Sequence, residues 1–350
     1  MDTIQFANKP MSLDMNGAKK ISFPSFQLTS SLLDRPIDIL ALGSALLEQV
    51  ILVNQWPAPG GQAEVNVERM NFVAGGCAAN VTCFAGRLGA QAAPICCLGD
   101  GRYSQELWNE FDRSRVLTSY VHRYPGHDGN LVIELTNREG DWATMALVDP
   151  EIMLRVDDIP PIDAFQKSKV FHVDGFCYVN AGDRRAVEKA VKLARAAGCL
   201  LSVDASVPAA QSYPDFLTWL FTQADVVFAN LFEAQSVTMV DELGDVVAGL
   251  QKLGPKLAVL KLGSEGSVVI TPEAVGRVPA YPVEVVDTVA AGDAYIATVL
   301  VRLIAGDSLL QATHRGSAAG ALACLGPGSL SSWFTLEDID RLIAEKSESI

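Results

Sequence analysis

The stretch VVDTVAAGDA, Val285 to Ala294, decides how this chain is interpreted. It holds two aspartates, Asp287 and Asp293, separated by a run of small residues, and it leads into the apolar run AYIATVLVRLIAG. Such a run predicts a buried helix, and the residues before the stretch predict a strand at Val283–Val286. The bend therefore places bare backbone at a helix N-terminus, where unpaired N–H groups and the helix dipole favour an anion.

The residues of this bend suit phosphoryl transfer. Ala290, Ala291 and Gly292 have no bulk to keep a phosphate from their N–H groups, so we predict that they form an anion hole. Asp293 lies in the first helical turn, and the dipole predicts that it is ionised at neutral pH. It is then placed to accept the proton of an attacking hydroxyl. Taken alone, the same residues are equally compatible with a simple helix cap.

Composition excludes several other classes of function. The chain has 350 residues, of which 49% are hydrophobic and 19% charged, which supports a folded core rather than disorder. The net charge of -14 argues against nucleic acid as a partner. Seven scattered cysteines without a C-x-x-C pair fit a reducing cytoplasm. There is no signal-peptide pattern or long apolar run, so we expect no membrane association.

The order of patterns along the chain predicts one large α/β domain. From Lys169 onward, strand and helix patterns alternate, which predicts a mainly parallel sheet with helices on both faces. Two half-exposed segments, about 55–74 and about 118–147, predict an inserted small β-sheet that acts as a lid. The second segment reads as a hairpin turning at Asn137–Gly140. Residues 1–36 are expected to form an N-terminal extension that is ordered only if it docks on another part of the protein, and the domain is expected to span 37–345.

Four motifs occur in the order found in one enzyme family. DTVAAGD resembles the C-terminal signature of the ribokinase-type (PfkB) carbohydrate kinases, D-T-x-G-A-G-D, and GGCAANVTCFAGRLGA from Gly75 resembles their N-terminal signature. NLFE from Asn230 resembles their N-x-x-E motif, and KLGSEG from Lys261 resembles their nucleotide loop. The resemblance covers about residues 37–340. It implies a three-layer ribokinase-like fold, with ATP and Mg²⁺ as co-substrate and cofactor.

The resemblance also implies a role for each matching residue. Asp293 would be the catalytic base, beside the anion hole of Ala290, Ala291 and Gly292. Asn230 would bind ATP, and Glu233 would hold Mg²⁺, directly or through water. Further ATP contacts would come from Lys261, Gly263, Ser264, Gly266 and Ser317. A K⁺-type monovalent cation would lie near Asp287, Ala323, Gly326 and Gly328. In isolation, Asn230 and Glu233 equally predict a capped helix start, and LGSEGS predicts an ordinary turn more readily than a nucleotide loop.

The acceptor side departs from the ribokinase pattern. The predicted substrate contacts are Glu48, Gly75, Gly76, Asn80 and Asp174. Leu46 stands where ribokinases have a sugar-binding polar residue, and a leucine cannot bond a hydroxyl, so ribose is not the expected acceptor. Asp204 either contacts Mg²⁺ or caps a turn.

These expectations combine into one hypothesis with two alternatives. The chain is expected to be an ATP-dependent kinase that phosphorylates a hydroxyl, expected to be primary, of a small sugar or sugar acid, and to form a homodimer through the lid. A nucleoside kinase of the same fold is one alternative, with Leu46 and Leu47 facing the base. A non-catalytic regulator that binds a sugar or nucleotide is the other.

Overall fold

The computed structural model of the protein describes residues 23–56, 64–138, 142–178 and 184–347. Part of the predicted hairpin turn at Asn137–Gly140 lies outside these ranges, as does the segment PAPGG from Pro57 to Gly61, whose proline and glycine residues predict a turn. The strands are β1 (Ile37–Leu42), β2 (Leu46–Val53), β3 (Val67–Gly75), β4 (Ala92–Gly99), β5 (Val121–Tyr124), β6 (Leu131–Thr136), β7 (Trp142–Leu147), β8 (Ser168–Asp174), β9 (Leu200–Asp204), β10 (Val226–Asn230), β11 (Leu257–Lys261), β12 (Ser267–Ile270) and β13 (Val275–Val278).

The helices alternate with these strands along most of the chain. They are α1 (Ser30–Leu33), α2 (Cys77–Arg87), α3 (Arg102–Arg113), α4 (Ile162–Gln166), α5 (Arg184–Ala196), α6 (Val207–Ser212), α7 (Pro214–Gln223), α8 (Leu231–Thr238), α9 (Leu243–Leu253), α10 (Ala291–Ile304), α11 (Leu309–Ala323) and α12 (Leu336–Ser347).

The larger sheet has nine strands in the order β13-β12-β11-β10-β9-β8-β1-β4-β5. Its strands from β11 to β5 run parallel, and β12 and β13 are added antiparallel at one edge. Buried residues of β10 alternate between two clusters: Val226 and Phe228 pack on one face, and Val227 and Ala229 on the other. Helices α2, α10 and α11 cover the first face, and α5, α7 and α9 cover the second. This arrangement confirms the predicted three-layer α/β fold.

A smaller sheet of four strands lies beside the larger one, in the order β3-β2-β6-β7. Its bounds differ from the predicted lid segments at two places. Strand β2, Leu46–Val53, pairs with both β3 and β6, so it belongs to this sheet although it precedes the predicted segment. Strand β5, Val121–Tyr124, lies within the second predicted segment but pairs with β4 of the larger sheet.

One predicted strand does not form. Val283–Val286 lies in an irregular segment between β13 and α10. Its polar backbone is held by α11 instead, because the N–H groups of Val286 and Asp287 donate to the carbonyl oxygen of Cys324 at 2.9 and 3.3 Å. The side chains of Val285 and Val286 are about half exposed, at 57% and 49%, so no core position required a strand there.

The described part of the N-terminal extension docks on the larger domain. Phe23, Phe26 and Leu28 pack against the core cluster on the α10–α11 face. The ring of Phe23 lies where a Cβ on Gly276 of β13 would stand, 2.5 Å away. The sequence predicted that this segment would be ordered only by docking, and residues 23–28 meet that condition.

Candidate active site

Polar side chains gather where the parallel strands end. Asp174 closes β8, Asp204 closes β9, Asn230 closes β10 and Lys261 closes β11. The strand register sets Asp174 opposite Asp204, and Asn230 opposite Lys261. Since carboxyl ends of parallel strands share one edge of the sheet, these four residues from distant parts of the chain lie together, at the usual ligand-binding edge of such folds.

The bend before α10 faces the same edge. Ala290 precedes the helix with φ +59°, a left-handed conformation that a residue without a branched side chain tolerates best. The N–H group of Ala291 donates weakly, at 3.3 Å, to the carbonyl of Thr288. Among the described residues, the N–H groups of Ala290 and Gly292 have no protein acceptor. A Cβ on Gly292 would lie 3.2 Å from Lys261 Nζ, so a cationic group stands directly beside the free backbone.

Asp293 lies in the first turn of α10 and is 7% exposed. Its Oδ2 accepts a hydrogen bond from Asn80 Nδ2 of α2 at 2.8 Å. Burial, opposed by that bond and reinforced by the nearby Asp204 and Asp174, raises the pKa of Asp293 to about 8. The sequence predicted that the helix dipole keeps this carboxyl ionised at neutral pH; burial acts against that expectation, because desolvation disfavours the carboxylate.

A lysine and two acids lie next to Asp293. Lys261 Nζ donates to Asp204 Oδ1 at 2.8 Å, and although burial opposes the charge, Asp204 and Glu233 hold the pKa of Lys261 at about 12. Burial also raises the pKa of Asp204, and that of Glu233 to about 7. Asn230 and Glu233 form a capping box at α8: Asn230 Oδ1 accepts from the N–H of Glu233 at 2.9 Å, and Glu233 Oε2 from that of Asn230 at 2.7 Å. Asn230 and Glu233 therefore cap the start of α8, and both also lie beside Lys261.

The acceptor side contains a buried glutamate tied to the chain's C-terminal part. Glu48 is 5% exposed, and its carboxylate accepts from the hydroxyl of Ser329 at 2.5 Å and from the N–H of Ser329 at 3.0 Å. Burial raises the pKa of Glu48 to about 7 in spite of these bonds. A Cβ on Gly75 would lie 2.0 Å from Glu48 Oε1, and one on Gly76 2.7 Å from the carbonyl of Ser44. Because Gly75 and Gly76 have no side chain, the Glu48 carboxyl group and the Ser44 carbonyl can pack directly against their backbone.

Asp174 lies beneath the loop after β1. Its Oδ2 accepts from the N–H and the hydroxyl of Ser44 at 3.2 and 3.3 Å, and its Oδ1 accepts from the N–H of Phe176 at 2.6 Å. The carboxyl is 2% exposed, and burial raises its pKa to about 6. Asp174 therefore holds Ser44, which itself lines the cleft described next.

A cleft of about 1420 Å³ lies between the two sheets at this edge. Of the predicted site residues, those that line it are Glu48, Gly76, Asn80, Asn230, Lys261, Gly263, Ala290 and Asp293. Predicted residues that lie next to it or beyond its lining are Gly75, Asp174, Glu233, Ser264, Gly266, Ala291, Gly292 and Ser317. Leu46 lines the cleft, whereas Leu47 is buried in the core cluster on the α2 side, so the expected pairing of both leucines against one base is wrong.

Sequence reasoning missed several residues of the cleft. Ser44, Ser329, Glu134 and Thr144 all line it. Glu134 and Thr144 are opposite each other in the smaller sheet, and the polar alternation of β6 and β7 was the signal that could have identified them. Ser329 had no such signal, because it reaches the cleft through its contact with Glu48, 281 positions away.

The predicted monovalent-cation residues come together behind the bend. Asp287 Oδ1 accepts from the N–H of Val289 at 3.0 Å, and its Oδ2 from that of Gly328 at 2.8 Å. The carbonyl of Ala323 accepts from Ser332 Oγ at 3.0 Å, and Ser331 and Ser332 crowd Gly326. The two segments are therefore adjacent, and their polar groups bond to each other.

Two broader features of the described chain bear on cofactors and membranes. No cluster of three or more His, Cys, Asp or Glu side chains suitable for a metal occurs among the described residues. A metal here would thus rely on one or two carboxylates together with ligand phosphates, as Mg²⁺ commonly does. Within the same ranges, each helix is too short or too polar to cross a bilayer. All seven cysteines are free.

Comparison with known proteins points to one family. A family model described as the pfkB family of carbohydrate kinases matches residues 37–335. The chain is similar to fructokinase-1 of Zea mays, with 26% identity over 308 residues that cover 84% of this chain and 95% of that protein.

Two solved structures share the fold. A ribokinase II from E. coli, in complex with ATP and Mg²⁺, superposes with a TM-score of 0.78 at 20% identity, covering 88% of this chain and 99% of that chain. The ribokinase of Arabidopsis thaliana, complexed with ribose and ATP, gives a TM-score of 0.73 at 19% identity, covering 88% and 99%. At these identities the two likenesses establish the fold alone.

Proposed function

Because the chain belongs to the pfkB family of carbohydrate kinases, we propose that it transfers the γ-phosphoryl group of ATP to a primary hydroxyl of a small sugar or sugar acid. One observation carries the proposal. Asp293 opens α10 within 2.8 Å of Asn80, beside the free N–H of Gly292 and the ammonium of Lys261. A proton acceptor, an anion hole and a cation thus meet at one point of the cleft, as phosphoryl transfer requires.

The proposed reaction assigns each of these groups a part. The acceptor hydroxyl passes its proton to Asp293 while its oxygen bonds to the γ-phosphorus, and the bond from that phosphorus to the β–γ bridging oxygen breaks. The electron pair of the broken bond stays on ADP. The N–H groups of Ala290 and Gly292, with Lys261, stabilise the negative charge on the transferred group. Positioning by the buried first turn of α10 lowers the barrier further.

Asp204 and Glu233 are the residues proposed to hold Mg²⁺. Both are acids near the ends of neighbouring strands, 9% and 5% exposed, and each raises the other's affinity for a cation by adding negative charge. When bound, the metal would neutralise phosphate charge. We also propose that a monovalent cation binds beside Asp287, because the two segments that carry the predicted cation residues lie next to each other.

The apolar part of the cleft favours a second candidate, a nucleoside kinase. Leu46, Leu131, Leu147 and Phe176 line the cleft together with Val132, and such a surface suits an aromatic base better than a small polyol. The catalytic groups would be the same, so only the acceptor differs.

A screen for ADP release tests the proposal. Neutral sugars, sugar acids and nucleosides would be offered with ATP and Mg²⁺, in buffers with and without K⁺, and ADP measured by a coupled assay. Release with a sugar or sugar acid supports the leading proposal, and release with nucleosides alone supports the second. Ligand binding without ADP release for any acceptor would contradict both and favour a non-catalytic regulator.

We also keep two expectations about the protein's setting as proposals. A homodimer is supported by the face of the smaller sheet opposite the cleft, which carries Met70, Phe72 and Met145 at 50%, 49% and 53% exposure. A second copy of the same sheet would bury this apolar face. A cytoplasmic location is supported by the free cysteines.

A further inference from the structure

The charges of the cleft are distributed unevenly. Among the described residues that line it, Lys261 is the single lysine or arginine, and it stands at the phosphate end beside Gly292. The smaller sheet contributes two charged side chains to the lining, Glu48 and Glu134, and both are acids. An anionic acceptor would therefore meet like charge on this side, and no lysine or arginine of the smaller sheet offsets it among the described lining residues.

On this side of the cleft, Glu134 is the carboxyl group without a hydrogen-bond or ion-pair partner among the described residues. It lies in the middle of β6, opposite Thr144 of β7 and Val50 of β2, with its side chain on the face that lines the cleft. Within the described ranges it makes no hydrogen bond or ion pair, whereas both oxygens of Glu48 accept from Ser329. Burial and the charge of Asp287 raise the pKa of Glu134 to about 7. A half-buried acid without a partner is costly unless a ligand supplies one.

A second polar atom in the cleft also lacks a partner. Asn80 is 3% exposed; its Nδ2 donates to Asp293, and no group among the described residues donates a hydrogen bond to its Oδ1. Like an ionised carboxylate, this amide oxygen can only accept hydrogen bonds. A ligand on the acceptor side of the cleft must therefore supply hydrogen-bond donors. Hydroxyl and amino groups are such donors, whereas ionised carboxylates and phosphates are not.

Resting on the proposed function, we propose that the acceptor is a neutral or amine-bearing polyhydroxy molecule, that carboxylated and phosphorylated sugars are rejected, and that Glu134 is the residue that enforces this choice. The proposal narrows the substrate class, because a sugar acid is no longer admitted. Rejection follows from unpaired like charges in a partly desolvated site, a common route to specificity.

Matched acceptors test this proposal. Each neutral sugar would be assayed beside its amino-deoxy and carboxylic acid counterparts, for example glucose, glucosamine and gluconate, or fructose and 2-ketogluconate. For the natural protein we expect kcat/KM for the neutral or amino member to exceed that of the acid by about 10²-fold. In Glu134→Gln this ratio should shrink by about tenfold or more, with KM for the acid falling, since the like charge is removed while the shape is kept.

A control on the same sheet separates this effect from a general disturbance of the fold. Glu68 of β3 is exposed, pairs with Arg138 at 2.7 Å and does not line the cleft, so Glu68→Gln should leave the ratio unchanged. An acid turned over as well as its neutral counterpart, or a ratio that Glu134→Gln does not change, overturns the inference.

Calorimetric titration of the same acceptors distinguishes failure of the inference from failure of the proposed function. If no acceptor releases ADP, the proposed function is wrong, and binding still decides the inference. If the neutral members bind and their acid counterparts fail to bind, the result supports the proposed selectivity of Glu134. Acids that bind as tightly as neutral members, or a set in which no member binds, overturn it.

Discussion

Asn80 Nδ2 donates a hydrogen bond to Asp293 Oδ2 at 2.8 Å, which joins the first helix of the larger domain to the helix that follows the bend. The two residues are 213 positions apart in the chain. Each belongs to a different signature, GGCAAN and DTVAAGD, so the contact shows that both signatures contribute to one site. The bond favours the ionised form of a carboxyl group that burial otherwise keeps protonated.

Asp293→Asn should remove most of the activity. The amide keeps the shape of the side chain but cannot accept the hydroxyl proton, so kcat should fall by about 10²–10⁴-fold, the usual contribution of a general base. ATP affinity, measured by calorimetry, should change little. Asp163→Asn, at an exposed position of helix α4, is the matched control and should keep full activity. A kcat for Asp293→Asn within a few-fold of the natural protein would mean that another group accepts the proton.

The pH dependence of kcat/KM should report the ionisation of Asp293. Because the ionised form is the active one and burial raises its pKa to about 8, kcat/KM should rise as pH increases through about 8. Asn80→Ala removes the bond that lowers this pKa, so the rising limb should move to higher pH. Asp204, Asp174 and Lys261 also act on this carboxyl, and the variant leaves them in place. An unchanged limb would show that a different group titrates.

The same carboxyl group should make the protein less stable as pH rises. Its pKa in the folded protein is about 8, against 3.8 for an ordinary aspartate. Its contribution to folding is therefore fully present below about pH 4 and is lost as pH rises through about 8. Asp293→Asn has no such loss, so the variant should be more stable than the natural protein at pH 8 by up to about 5 kcal/mol, and the difference should vanish near pH 4. Urea unfolding at the two pH values measures it, and a difference independent of pH would contradict the assignment.

Much of the fold was accessible from the sequence because parallel strands buried on both faces appear as short apolar runs. The strand ends that carry Asp174, Asp204 and Lys261 followed from that pattern, and the carboxyl edge brought them together. Val283–Val286 was misread because a run of β-branched residues suits a half-exposed loop as well as a strand. What holds that loop is a carbonyl of α11, which local sequence cannot indicate.

The electrostatics of the site were less accessible, since they arise from packing. The position of Asp293 at a helix start was readable from the chain, and with it the dipole that favours its charge. Its burial, the hydrogen bond from Asn80 of α2 and the charges at three strand ends all arise from packing, so the direction of its pKa shift required the structure. Ser329 was missed for the same reason, because its role depends on Glu48, which is distant in sequence.

Lys261→Met should reduce both activity and stability, by two separable routes. The loss of the cation beside Gly292 should lower kcat/KM for ATP by about 10²-fold. Asp204, which is 9% exposed, would be left without its partner at 2.8 Å, which should cost about 2–4 kcal/mol of the free energy of unfolding. The double variant Lys261→Met with Asp204→Asn should recover most of that stability and none of the activity. Equal recovery of both would show that the lysine acts only through folding.

The smaller sheet's outer face gives the last prediction. Phe72 pairs with Gln49 across β2 and β3 and is 49% exposed on the side away from the cleft, so it should lie within the proposed interface between two copies. Phe72→Glu places a charge in that apolar contact. The dissociation constant of the dimer, measured by sedimentation, should therefore rise about 10²-fold above that of the natural chain. Leu310→Glu, on α11 of the larger domain and 40% exposed, is the matched control and should sediment as the natural protein does. A natural chain that sediments as a monomer at micromolar concentration would exclude this interface, and equal dissociation in both variants would place the contact elsewhere.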